Sequence, residues 1–380
     1  MPNQSNALRL RPVLRTTHNW IGLIAGLVIV VVSFTGSVVV FRDDVRNAQL
    51  PKSAETGSAR VSLNEVARQV ALARPGALIR RVRMPDAPGD PYIVQIESSG
   101  KTERLVSEAS TARIVGTVES GWVDWTVDLH RNLLYGRTGR SAVGAFGIVL
   151  FILALTGLLL WMAGARSWRA WVSVRPGGST RRFNFELHRV IGLWSYGLLS
   201  VIAFTGIGVS FPDAFRQALR WMTGDPAPAG APQVAGDLTL RMRPLDDYLQ
   251  IGQAAMPDGV PVELRFPLPG RGPADLRLTR AGDFSASANR VYLEPSTATV
   301  LSVSRAADRP LSARLFATFA PIHYGEFGGF PIKALWALMG LTPAVLFVTG
   351  LLAWWGPKKR DSPEAVREEV LAEDTALAGR

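Results

Sequence analysis

Residues 18–41 read HNWIGLIAGLVIVVVSFTGSVVVF, and residues 188–211 read HRVIGLWSYGLLSVIAFTGIGVSF. From Trp20 to Phe41 the first stretch has no charged residue. About 20 apolar residues at a rise of about 1.5 Å each cross the hydrocarbon of a bilayer. Two further runs are of the same kind, so the expected spans are Trp20–Phe41, Val143–Met162, Val190–Phe211 and Ile332–Trp355. The first is too long for a signal-peptide core and lacks a small-residue cleavage site, so it is expected to be retained.

Working outward from the spans, the short flanks set an orientation. Arg9, Arg11 and Arg15 precede the first span. Arg166, Arg169, Arg175, Arg181 and Arg182 lie between the second and third, and Lys358, Lys359 and Arg360 follow the fourth. In a four-span chain these segments share one side, which the positive-inside rule makes cytoplasmic. Trp161, Trp168, Trp171, Trp354 and Trp355 suit an interfacial belt there. Of the 380 residues, 47% are apolar and 19% charged, and the net charge of +11 is read as cytoplasmic-loop bias, with no nucleic-acid partner. The absence of cysteine excludes disulfides, iron–sulfur clusters, thiolate-ligated haem and covalently attached c-type haem.

The two opening stretches superpose without a gap. His18, Ile21, Gly22 and Leu23 match His188, Ile191, Gly192 and Leu193, and Phe34-Thr35-Gly36 matches Phe204-Thr205-Gly206, always at an offset of 170. At an offset of 193, His130 matches His323 and Thr156-Gly157-Leu158 matches Thr349-Gly350-Leu351. Gly and Thr are ordinary in membrane helices, but coincidence does not hold a constant offset over several non-aliphatic positions. The chain is therefore read as a duplicated unit of span, loop, span.

The two long loops have their own patterning. A helix at Leu63–Leu72 precedes strands at Ile79–Met84, Tyr92–Glu97 and Arg104–Ser107. A helix at Leu245–Ala255 precedes strands at Val260–Phe266, Asp275–Thr279 and Arg290–Leu293. Glu108-x-Ser110-Thr111-Ala112 echoes Glu294-x-Ser296-Thr297-Ala298. The expected fold is a mainly α membrane protein of two repeated helix pairs with two periplasmic α+β domains. Its segments are 1–41, N-terminus and first span; 42–140, first loop domain; 141–162, second span; 163–187, cytoplasmic loop; 188–211, third span; 212–328, second loop domain; 329–355, fourth span; and 356–380, cytoplasmic tail. Neither loop carries a recognisable catalytic motif.

All four histidines occupy repeat-equivalent positions. His18 and His188 are placed at the starts of spans one and three on the inner side, His130 and His323 ahead of spans two and four on the outer side. Gly136, Gly139 and Gly144 in one half, and Gly325, Gly328, Gly329 and Pro331 in the other, are expected to bend the chain between the outer histidines and their spans. Topology then allows two close pairings, His18 with His188 and His130 with His323. Two facing imidazoles suit a b-type haem with both axial positions filled, a centre for electron transfer. Zinc would need two further ligands. Arg15, Arg131 and Arg189 are candidates for the haem propionates, with interfacial anchoring as their plainer role. A lone histidine at a helix end more often caps or hydrogen-bonds; the paired placement favours ligation.

The repeated His-x-x-Ile-Gly-Leu with Phe-Thr-Gly downstream, and Leu129-His130 leading to Thr156-Gly157-Leu158, resemble the PepSY-associated transmembrane family. Residues 108–116, EASTARIVG, resemble the end of a PepSY domain. The resemblance runs from about residue 10 to 357. It implies a di-haem inner-membrane reductase of bacterial iron uptake, with two bis-histidine b haems reducing ferric siderophores in the periplasm to release iron(II). Ferric siderophore and membrane lipid are then the partners. Some relatives carry a fused cytoplasmic flavin module. No Gly-rich dinucleotide fingerprint follows Trp355, so the donor is an unidentified cytoplasmic protein or reductant, or a quinol. Trp122, Trp125, Tyr135 and Tyr324 could flank the substrate, though aromatics near an interface are more often belt residues.

Two other classes compete. PepSY loops on a passive anchor would make a regulatory or binding membrane protein without redox activity, and would leave the histidine symmetry unexplained. A transporter would also carry repeats, but usually has ionisable groups near the membrane midplane. These spans contain none in their interiors, apart from Lys333 near one end.

Overall fold

The computed structural model describes residues 4–51, 60–118, 121–164, 172–175, 179–226, 230, 232, 234, 243–267, 272–284 and 288–355. Arg166, Arg169, Trp168, Trp171, Lys358, Lys359 and Arg360, and the Arg9 side chain, lie outside the described residues.

The elements in chain order are α1 Gln4–Val39, α2 Arg42–Gln49, α3 Leu63–Ala73, β1 Leu78–Arg83, β2 Tyr92–Ser98, β3 Lys101–Ser107, β4 Ile114–Thr117, α4 Trp122–Asn132, α5 Gly136–Gly164 and α6 Thr180–Ser210. There follow α7 Pro212–Thr223, α8 Leu245–Ala255, β5 Val260–Arg265, β6 Ala274–Thr279, β7 Asn289–Leu293, β8 Val300–Ser304, α9 Leu311–Ala317, α10 Phe319–Tyr324 and α11 Gly329–Trp355. Helices α1, α5, α6 and α11 are long and apolar enough to cross a membrane. Each starts before its apolar run. Apolarity marks the hydrocarbon crossing, while i to i−4 hydrogen bonding continues until a breaker stops it. His18 and His188 are therefore inside α1 and α6, not at their starts.

The helices that carry the other two histidines, α4 and α10, are separate from the spans. Leu133 and Leu134 take left-handed φ of 50° and 62° and end α4; Gly136, at φ 55°, opens α5. Gly325 at 69° ends α10, and Gly329 at 65° opens α11. Gly139 and Gly144 lie within α5 and do not bend the chain.

Two compact units divide the chain. The first holds residues up to Val30, Val149–Ser200 and residues from Leu341 onward. In it α1 packs against α11 through Gly26, where a Cβ would sit 2.2 Å from the Phe347 ring. Small residues let membrane helices approach this closely. Trp20 of α1 also meets Trp354 of α11, with ring centroids 6.2 Å apart.

The second unit, Val31–Ile148 and Val201–Gly340, contains the remaining helix ends and one antiparallel sheet. The loops were expected to form two domains; they share a single eight-stranded sheet, ordered β4-β3-β2-β1-β5-β6-β7-β8. β1 of one loop pairs with β5 of the other, placing Val82 opposite Leu264. Each loop alone brings to the sheet core four short strands and one helix, α3 or α8, too small a core to stand well on its own. Joined, they bury one continuous core with Val66, Val70, Val82, Val94, Ile96, Leu105, Tyr248, Leu264, Leu276 and Val291 at its centre. The two helices also cap each other. Asp246 accepts from the Leu63 and Asn64 amides at 2.8 and 3.2 Å, and the Asp246 amide donates to Asn64 at 3.3 Å. Ser62 accepts from the Glu65 amide as the N-cap of α3. The echoed EASTA and EPSTA segments are one turn built twice: Ala112 and Ala298 have φ of 58° and 59°, and each donates its amide at 2.9 Å to the glutamate four residues back. Strands β4 and β8, which follow these turns, were not legible in the sequence, being short and without clear alternation.

A shared core has a testable consequence. Leu264→Ala should cost about 2–5 kcal/mol, and hydrogen exchange should rise in β2 as well as in β6. An effect confined to residues 260–304 would mean two independently stable domains.

Candidate functional site

Four Thr-Gly pairs, one on each spanning helix, face a histidine: Thr35-Gly36, Thr156-Gly157, Thr205-Gly206 and Thr349-Gly350. Each pair receives one imidazole from another helix. His18 lies over Gly157, His188 over Gly350, His130 over Gly36 and His323 over Gly206. A Cβ on these glycines would stand 3.5, 3.2, 2.9 and 2.7 Å from the facing Cε1. Three of the four positions thus have no room for a methyl group without displacing the ring.

The hydrogen bonds follow the same plan. The threonine hydroxyls are tied back to their own helices: Thr35 to the Val31 carbonyl at 2.7 Å, Thr156 to Ile152 at 2.9 Å, Thr205 to Val201 at 2.7 Å and Thr349 to Val345 at 2.7 Å. The carbonyl four residues before the glycine then meets Nδ1 of the histidine. His130 Nδ1 is 2.8 Å from Val32 O, His188 Nδ1 is 2.9 Å from Leu346 O, and His323 Nδ1 is 3.0 Å from Ile202 O. A carbonyl only accepts, so these three Nδ1 atoms carry the proton and Nε2 carries the lone pair. His18 Nδ1 is instead 2.8 Å from Thr156 Oγ1, whose proton is directed at a carbonyl. Its tautomer is therefore the same. All four imidazoles present a ligand-competent Nε2, oriented by a fixed bond at Nδ1.

The rings meet in two pairs. His18 and His188 have centroids 6.2 Å apart at an interplanar angle of 88°. His130 and His323 are also 6.2 Å apart, at 26°. A metal–imidazole bond of about 2 Å, plus about 1 Å from nitrogen to ring centre, puts two trans imidazoles on one metal about 6 Å apart. Both pairs meet that length. Among the described residues no group of three or more His, Asp or Glu could hold a bare ion. Two imidazoles per pair could hold a metal only if its other ligands came from a prosthetic group. Burial, helped by the neighbouring His130, holds the His323 imidazole down to about 4, and burial lowers His130 as well. Both are neutral near pH 7, as ligation requires.

The other sequence candidates divide. Tyr324 lies against His323, with centroids 5.8 Å apart. Trp122, Trp125 and Tyr135 are exposed. Arg15 is exposed on α1, Arg131 is paired with Asp128 at 2.8 Å, and Arg189 donates to the Ser173 carbonyl at 3.2 Å. Arg42 was missed. Its guanidinium sits 4.4 Å from the centre of the Tyr324 ring, pairs with Glu326 at 2.6 Å, and contributes to lowering the pKa of both His130 and His323. It has no repeat counterpart, since Pro212 stands at that offset. The signal was available in another form: an arginine placed directly after the apolar run that ends at Phe41.

With this arrangement in view, comparison with known proteins is informative. An uncharacterized protein of Pseudomonas aeruginosa is 26% identical over 277 residues, covering 64% of this chain and 65% of that protein's length. The model of the PepSY-associated TM region matches residues 15–356, a stretch that takes in all four histidines and the four Thr-Gly pairs that face them. The chain belongs to the PepSY-associated TM family.

Proposed function

We propose that this protein is a bacterial inner-membrane electron-transfer reductase. It holds one b-type haem between His18 and His188 and another between His130 and His323, and reduces ferric siderophores in the periplasm so that iron(II) is released. The observation that carries the reading is the 6.2 Å spacing of both imidazole pairs, each ring with Nδ1 committed to a helix oxygen. The haems, when bound by these histidine pairs, would supply one-electron redox chemistry. The chain's own groups do the rest. The Nδ1 bonds fix ring orientation and raise ligand basicity. The glycines admit the rings. Arg42 puts positive charge beside the His130/His323 pair, which favours the state with one more electron. The basic flanks favour the cytoplasmic side for the His18/His188 pair, where a protein donor, soluble reductant or quinol would supply electrons. A PepSY-type regulatory membrane protein without redox activity would leave both pairs without a task.

Pyridine haemochrome analysis of the purified protein should find two b haems per chain. His18→Ala or His188→Ala should remove one, and His130→Ala or His323→Ala the other. Gly206→Val should lose the same haem as His323→Ala, because its side chain would begin 2.7 Å from Cε1. A colourless protein from haem-replete cells would overturn the reading.

The ring angles make the two centres distinguishable. On a bound haem iron, the nearly perpendicular His18/His188 rings would leave the iron orbitals nearly degenerate and the nearly parallel His130/His323 rings would split them. Low-temperature EPR should show a highly anisotropic low-spin signal that disappears with His188→Ala and a rhombic one that disappears with His323→Ala.

Direction can be tested by stopped-flow. Dithionite-reduced His18→Ala protein should still be reoxidised by an added ferric siderophore, and the His130→Ala protein should not. Equal rates in the His130→Ala variant and the unmodified protein would reverse the assignment of the two sides.

A further inference from the structure

One face of the eight-stranded sheet packs on α3 and α8; the other is crowded with arginine. Across the central seam Arg81 stands directly opposite Arg265, and on the next pair of strands Arg277 stands opposite Arg290. Like charges in directly opposed positions destabilise a sheet. Two carboxylates serve all four guanidiniums. Glu263 is 3.6 Å from Arg81 and 3.8 Å from Arg277, and is bonded to Arg265. Asp275 is 3.0 Å from Arg277 and 3.8 Å from Arg290. Even so, Arg290 Nε is a buried donor without a hydrogen-bond partner; Asp275 Oδ1, an acceptor, is unpaired as well and would not favour an anion. With two carboxylates against four guanidiniums the cluster is short of negative charge, and one guanidinium donor, Arg290 Nε, is unspent.

Nor is the face sealed. The side chains of Arg81, Arg265 and Arg290 are 39%, 32% and 35% exposed. Arg104 lies on the same face, in register with Gln95 and through it with Arg81. It pairs at 2.8 Å with Asp124 of α4, the helix that carries His130. The arginine face and one ligand of the His130/His323 pair are thus tied to the same helix. A local rule broken this consistently, with only two carboxylates to offset four opposed guanidiniums, points to a site for a ligand. Guanidinium forks recognise planar oxygen pairs in two-point contacts.

We propose that this array is the docking site for an oxygen-rich anion. On the reductase reading above, on which the substrate assignment rests, that anion is a ferric chelate of net negative charge, of the catecholate or carboxylate kind. Neutral hydroxamate chelates lack the charge that the array is short of.

Gallium(III) chelates test this without reduction, so binding is read whether or not haem is bound. Full-length protein in zwitterionic nanodiscs is titrated with gallium tris-catecholate, which is multiply anionic, and with a neutral gallium tris-hydroxamate. The anionic chelate should bind, more weakly as salt rises, and the neutral one at least about tenfold less tightly. Arg81→Gln with Arg290→Gln leaves Glu263 with Arg265 and Asp275 with Arg277. This double variant should weaken anionic binding about tenfold or more without lowering the melting temperature, since it removes two opposed like-charge pairs. Arg290→Lys, which keeps the charge, should restore part of the affinity to the Arg290→Gln background. Equal affinity for the two chelates, or binding indifferent to the double variant, would overturn the proposal. So would full displacement of the chelate by phosphatidylglycerol added to the nanodiscs, which would make a lipid headgroup the ligand. A protein that binds the anionic chelate but contains no haem would sink the reductase reading and leave this site standing.

Discussion

An imidazole Nδ1–H donated to an oxygen of a neighbouring helix, with the ring lying over a bare glycine Cα, occurs four times in this chain. The arrangement answers a problem set by burial. A polar N–H without a partner in an apolar surrounding costs several kcal/mol, yet a helix has already used one lone pair of each carbonyl on itself. The remaining lone pair is reachable only where the wall of side chains drops away. Glycine opens that wall, and the carbonyl one turn before it becomes the acceptor. The threonine beside the glycine ties its own hydroxyl back along the helix, so no second unsatisfied group is created. Once Nδ1 is spent in this way, the chemistry left to the histidine is the lone pair on Nε2.

The sheet obeys a similar economy of shared parts. Neither loop has enough strands to bury a core, and the edge strands β1 and β5 would each offer an unpaired row of backbone groups if left alone. Pairing them removes both edges and merges two half-cores into one. Asp246 and Asn64 bind the two helices above that seam by exchanging caps. What the duplication doubled in sequence, folding reunited as one domain.

Outside the four sockets the halves have diverged. The His18/His188 rings are nearly perpendicular and the His130/His323 rings nearly parallel. Helix α2 after the first span is charged, with Arg42 engaged by Glu326 and Tyr324, whereas α7 after the third exposes Trp221 and Met222. The two histidine pairs thus differ in ring angle, and the helices that follow the first and third spans differ in what they engage.

By itself the sequence determined the four apolar spans, the duplication, most of the loop strands and the importance of exactly four histidines, because each leaves a periodic or constant-offset trace along the chain. The pairing of those histidines was also foreseeable, since positions at equivalent depths in a repeat have few possible partners. Only the tertiary structure decided what the Thr-Gly pairs are for: the acceptors are mostly backbone carbonyls at Val32, Ile202 and Leu346, which any residue would supply and no side chain announces. It likewise decided that two loops make one sheet, because the β1–β5 register joins residues some 180 positions apart by hydrogen bonds that carry no sequence signature. And it decided Arg42 and the arginine face, whose meaning lies in which charges stand opposite one another, a property of the fold and not of the order of residues.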